Sequence, residues 1–172
     1  MGKLYRCDFA IYHSAKFRLD PNTEDRSTCW ELFSYVFLKD SKDALTWGFK
    51  PFLLDGETCY YLPITPSQVE SAYSITNYCE CQGDVLECGY DDEKQEFTFD
   101  MRGVSKEICN KHGLGHAWER YNISRGIEEM GMVLCIPDSE IPNVWEEHLP
   151  IKDFPFKGPE KVWVKKDGVW LR

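Results

Sequence analysis

The sequence feature that most constrains the fold is a turn. Near the C-terminus, KVWVKKDGVWLR places Trp163 and Trp170 around Asp167-Gly168, the local signature of a two-residue type I′ hairpin. Upstream, DVLECGY and EFTFDM flank the polar DDEKQ in the same manner, and the second arm sets Phe97, Phe99 and Met101 on one face. Short strands joined by tight turns are thus expected for a large part of the chain.

Helix signals interrupt the strands. KLYRCDFAIYH is strand-like and turn-rich DPNTED follows it; CWELFSYVFL is then dense enough in apolar residues to be buried. Asp40 or Ser41 can cap a short helix, KDALTWG, that stops at Gly48, and GETCYYLPI reads as a strand. Thr65-Pro66 predicts a helix through SQVESAYSITNY, with Val69, Ala72 and Tyr73 as its apolar stripe and Thr76 a weak extension. Ser105 caps SKEICNKH, Gly113 and Gly115 interrupt that helix before HAWERYNISRGIEEMG, and MVLCI is a short buried-strand candidate. Strands and helices alternate without a regular βαβ period, so the expected class is α+β, with mixed or antiparallel strands. No repeat or Gly/Ser-rich linker divides the chain, so residues 1–172 are read as one compact domain.

Composition narrows the function. The 172 residues are 42% hydrophobic and 15% aromatic, sufficient for a real core, and 29 acidic against 20 basic residues give a net charge of −9. Residues 157–172 carry net +3, which leaves −12 on residues 1–156. Such a surface is unsuited to neutralising nucleic-acid phosphates directly or to settling on an anionic membrane. The opening MGKLYRCDFAIY lacks the apolar run of a signal peptide, Arg6 breaks the myristoylation pattern, and no eighteen-residue apolar stretch occurs. A soluble, cytoplasmic protein with its eight cysteines reduced is expected. The sequence holds no P-loop, dinucleotide-binding glycine motif, zincin helix, nucleophile elbow or EF-hand loop, and Gly113-Leu-Gly115 is too short to cradle a phosphate.

IYHSAKFRL, CWELFSYVFLKDSKDALTWG and ETCYYLPITPSQV together carry a resemblance. Tyr12-His13, then Phe33, Tyr35 and Phe37, then Asp40 and the Asp43-Ala44 to Trp47 helix resemble the entry segment of the ADP-ribosyltransferase superfamily over roughly the first 70 residues. The likeness is nearest to small phage-encoded anti-CRISPR ADP-ribosyltransferases. It implies an ADP-ribosyltransferase-like fold, NAD as cofactor, and transfer to a macromolecular target, most plausibly a protein. It further implies that His13 fixes NAD, that Tyr35 and Phe37 wall the nicotinamide, and that Asp138 or Glu140, after MVLCI, supplies the catalytic carboxylate facing the developing oxocarbenium. PDSE and the nearby Glu128-Glu129 pair do not match the family's acidic motif specifically. A competing register, with Leu4-Tyr5-Arg6 as first motif and Ser27-Thr28 as the serine-threonine element, leaves too short a gap between them, and Cys29 follows where Ser or Thr is expected.

Three other groupings compete. Cys79, Cys81, Cys88, Cys109, His112 and His116 include soft ligands suited to zinc, but Cys-x-Cys is awkward for one ion and glycines separate the histidines, so buried thiols are favoured over a metal site. Cys29 is better read as a small buried hydrophobe than as a nucleophile. The run from Asp84 to Asp100 holds seven acidic residues with Lys94 as its one counter-charge. It reads either as a solvated hairpin or as the docking face of a non-enzymatic inhibitor of the immunity or anti-defence type, one that blocks a basic, nucleic-acid-binding partner.

Overall fold

The computed structural model describes residues 4, 6–21, 30–33, 45–54, 56–123 and 133–171. It is mostly antiparallel sheet with two short helices, and every strand pairing of described register is antiparallel. Its contacts gather into two compact units, one of Cys7–Ile75 with His148–Glu160, the other of Met1–Arg6, Thr76–Glu147 and Lys161–Arg172. Each unit is assembled from separated stretches of chain, so no linker in the sequence marks the division. Among the described residues no helix is long and apolar enough to cross a membrane.

The first unit is a meander. Strands β1 (Asp8–Tyr12), β2 (Ala15–Pro21), β3 (Trp30–Phe33), β4 (Lys50–Leu54) and β5 (Glu57–Ile64) lie in the order β1-β2-β3-β5-β4, and the start of β6 (Ser71–Cys81) pairs with β1. Cross-strand partners share a face, so Ala10 lies beside Phe17 and Ala72, and Leu19 beside Leu32 and then Leu62. This face is buried with Phe49, Ile64 and Val69, and Phe154 closes over it with its ring edge against Trp30. Ser71 ties the covering segment down by donating to the Lys157 carbonyl and accepting from its amide.

β6 corrects the helix expected after Thr65. The start signal does operate: Pro66–Gln68 form one 3₁₀ turn, and the Thr65 amide donates to Gln68 Oε1 at 2.6 Å. The chain then turns extended, because Tyr73, Ile75, Cys79 and Cys81 alternate with Ser74, Thr76, Tyr78 and Glu80. That two-residue period buries four apolar side chains, where the helical stripe offered three, and the β-branched and aromatic residues fit it.

In the second unit the rest of β6 is flanked by β7 (Asp84–Glu87) and β11 (Val144–Pro150); β12 (Lys161–Lys166) and β13 (Val169–Trp170) follow β11 outward. A separate sheet orders β10 (Val133–Pro137), β9 (Glu96–Asp100) and β8 (Gly89–Asp91). Phe97, Phe99 and Met101 point inward, as expected, onto Leu134, Ile136, Ile108 and Ile141. β10 is not wholly buried as read from MVLCI: Leu134 and Ile136 face the core, whereas Val133 and Cys135 are exposed. The helices Lys106–Lys111 and Gly115–Ile123 are separated at His112–Leu114, as the glycines predicted. The Asp167-Gly168 hairpin forms with both residues left-handed, φ 50° and 81°.

The β1–β2 turn was not legible from its residue types. His13 and Ser14 occupy left-handed φ of 49° and 60° with neither glycine nor asparagine, and the Ser14 amide is held by Glu70 Oε1 at 2.8 Å. Ser14→Gly removes the steric cost of that conformation but adds chain entropy to the unfolded state. We expect it to stabilise the protein by up to about 1 kcal/mol in urea titration, with the turn unchanged.

Candidate functional site

His13 stands at the tip of the β1–β2 turn with its side chain exposed. Its ring stacks on Trp47, centroids 5.3 Å apart and planes at 21°, and meets Tyr12 edge-on at 4.4 Å. Phe17 and Phe49 pack beneath Tyr12 and against one another. Trp47 is placed by the end of the expected short helix: Leu45 and Thr46 are helical, and the Gly48 amide closes the turn on the Leu45 carbonyl at 3.1 Å. The result is an exposed aromatic step that a planar ring can stack upon. Tyr35 and Phe37, expected to wall this site, lie outside the described residues, as do Tyr5, Ser27, Thr28, Cys29, Asp40, Asp43, Ala44, Glu128 and Glu129.

Asp138 and Glu140 belong to the other unit, in a 3₁₀ turn directly after β10. Asp138 is engaged through both carboxylate oxygens. Lys165 Nζ donates to Oδ1 at 2.8 Å and to the Asp138 carbonyl at 2.6 Å, and Trp170 Nε1 donates to Oδ2 at 3.2 Å. Lys165 is only 2% exposed, with the rings of Phe97 and Trp170 within 6 Å of its ammonium. A bulge directs it inward: Val144 pairs with Lys165 while Trp145 pairs with Trp163, so β12 holds one extra residue and its face reverses. Glu140 is exposed at the end of the turn.

The cysteine and histidine group divides between core and surface. Cys79, Cys81, Cys88 and Cys109 are buried among the apolar side chains of the second unit. Burial, reinforced by Cys79, pushes the Cys81 thiol up to about 11. A hydrogen bond with Cys79, then burial, raises Cys88, and burial raises Cys109. His112 ends the first helix and exposed His116 lies in the second, so the Gly113 break takes them off a shared helical face. Among the described residues no cluster of three or more His, Cys, Asp or Glu side chains could hold a metal ion.

The acidic run forms a ribbon on β7, β8 and β9. Leu86, Phe97 and Phe99 face inward, while Asp84, Glu87, Asp92, Glu93 and Asp100 are exposed and Asp91 and Glu96 partly so. Asp91 builds the hairpin tip by accepting from the amides of Glu93 and Lys94 and pairing with Lys94 Nζ at 3.3 Å; the Lys94 amide bond foremost holds its carboxyl below the usual value. Two further counter-charges flank the run, one brought by folding and one from just beyond its end. Arg6 reaches Glu87 at 2.7 Å, and Arg102 grips Asp100 through Nε, at 3.0 and 2.9 Å, and through NH2. Asp84, Glu93 and Glu96 have no ion-pair partner among the described residues.

A cleft of about 560 Å³ opens beside this ribbon, also within the second unit. Its mouth carries Arg6, Glu87, Asp100 and Arg102, and its inner wall Leu86, Phe99 and Val104. No local run of residues marks this cleft, since Arg6 is remote in the chain from the strands it meets.

The lock on Asp138 and the buried thiols each have a measurable consequence. Asp138→Ala leaves the buried Lys165 ammonium without its carboxylate and should cost on the order of 2–3 kcal/mol in denaturant unfolding, whereas adding Lys165→Met should recover part of that loss. Iodoacetamide on the native protein should label exposed Cys135 well before Cys79, Cys81, Cys88 and Cys109, as read by peptide mass spectrometry; equal rates would contradict the burial described. No protein-family model, curated protein or solved structure matches this chain.

Proposed function

We propose that this is an acidic binding protein of the immunity or anti-defence kind, which occupies a basic, nucleic-acid-binding site on a partner protein. The observation that carries the reading is the acidic run on β7, at the edge of one sheet, and on the β8–β9 hairpin of another: with Leu86, Phe97 and Phe99 turned inward, five of its seven carboxylates are exposed and Asp91 and Glu96 partly so. Along one strand face residues recur about every 6.8 Å, so Glu96 and Asp100 are held at a fixed spacing that flexible acidic tails lack. Long-range attraction from a body of net −12 steers a basic partner inward, and the ribbon competes with the partner's natural polyanion.

A second reading keeps the ADP-ribosyltransferase resemblance, with its fold, NAD as cofactor and a protein acceptor. What favours it is His13: exposed, held in left-handed backbone and stacked on Trp47, it offers the nicotinamide end of NAD a flat aromatic step. Of the two carboxylates this reading implies, Asp138 has both oxygens bonded internally and Glu140 is exposed.

One experiment separates the readings. On the binding reading, the protein forms a stoichiometric complex with a basic partner at low salt. The complex dissociates at about 1 M salt, where the screening length falls to about 3 Å, and Asp84→Lys/Glu93→Lys/Glu96→Lys abolishes it, while labelled NAD is not consumed. Label transfer or nicotinamide release that disappears in His13→Ala would overturn that reading in favour of the transferase. A complex indifferent to salt and to the triple change would also defeat it.

A further inference from the structure

The cleft beside the ribbon has a charge pattern that selects a ligand, independently of whether the ribbon docks on a basic partner. Its volume lies within the range that buries small organic ligands, and its rim is made of two cations and two anions. The four act as one group. Arg6 pairs with Glu87, Arg102 pairs with Asp100, and Arg6 also lowers the Asp100 carboxyl, a smaller effect than the hydrogen bonds from Arg102. Leu86, Phe99 and Val104, each at most 6% exposed, make the wall behind them apolar. Gly89 and its cross-strand partner Thr98 form part of the side wall, and their close approach requires glycine there, since a Cβ would stand 2.6 Å from Thr98 Oγ1.

Ion pairs this exposed are weak, screened by solvent and held by flexible side chains, so exchanging partners with a ligand costs little. The sign of the ligand then matters. A bound anion recruits Arg6 or Arg102 and strands a carboxylate at a mouth the ligand has partly dried; a bound cation strands a guanidinium. A ligand carrying both signs satisfies all four groups together, and an apolar body between or beside its charges covers Val133, the lining's exposed apolar side chain at 53% exposure.

We propose that this cleft binds a zwitterion with an apolar body, an apolar amino acid or a short peptide with free ends, its carboxylate on Arg6 or Arg102 and its ammonium on Glu87 or Asp100. Isothermal titration calorimetry on the full chain tests this with four probes: leucine, the dipeptide Leu-Leu, its N-acetyl form without the cation, and its amide without the anion. Leu-Leu should bind saturably at one site, and each single-charge analogue should bind about tenfold more weakly or worse. Leucine binding as tightly as Leu-Leu assigns the site to free amino acids; weaker leucine binding assigns it to peptides. Glu87→Gln and Arg102→Gln, both at exposed side chains, should each weaken Leu-Leu by a similar factor, with circular dichroism confirming the fold. The proposal is overturned if neither leucine nor Leu-Leu binds, if the acetylated or amidated form binds equally well, or if both folded variants bind as the parent does.

Discussion

A lysine ammonium that is 2% exposed must find its counter-charge inside the protein, and much of the second unit is arranged around that need. Lys165 faces inward because β12 bulges between Trp163 and Lys165. Its ammonium takes both the carbonyl and the carboxylate of Asp138, which fixes the 3₁₀ turn after β10, and the second carboxylate oxygen holds the Trp170 indole against Phe97. One buried charge therefore ties together the end of β10, the bulge and the terminal hairpin. In that turn both oxygens of the Asp138 carboxylate are bonded internally, contributing position and charge balance to the fold, whereas Glu140 is open to solvent.

The parts of this fold legible in the sequence were those specified within a few residues. Asp167-Gly168 needs two left-handed residues in succession and shows that in its residue types; DDEKQ shows an aspartate able to accept from amides two and three residues on; and Gly113 takes the left-handed φ of 74° that ends the helix before it. β6 was not legible in this way. Val69, Ala72 and Tyr73 satisfy a helical spacing while Tyr73, Ile75, Cys79 and Cys81 satisfy a strand spacing, and only pairing with β1, β7 and β11 decides between them. His13-Ser14 hid its turn because the support is Glu70, far along the chain. The candidate site was legible in half: the carboxylates stand in one run, but Arg6 enters it through the fold and Arg102 lies two residues past its end, so a count of one counter-charge between Asp84 and Asp100 overstated the ribbon's negative field.

The β8–β9 hairpin shows how a single period assigns separate tasks. Phe97 and Phe99 face the core, where each removes an aromatic ring from water, and this burial holds the hairpin in register. Glu96, Thr98 and Asp100, one residue out of phase, face the other way. A slip of one residue would exchange the two sets, placing carboxylates in the core and rings in solvent, so the burial that stabilises β9 also fixes the spacing of the charges it displays. Because Asp100 belongs to both the ribbon and the mouth of the cleft, the two are mechanically one element. On the binding functions proposed above, a partner that drew Asp100 or Glu87 into its own ion pairs would loosen Arg102 or Arg6, and so alter the charges at the mouth of the cleft.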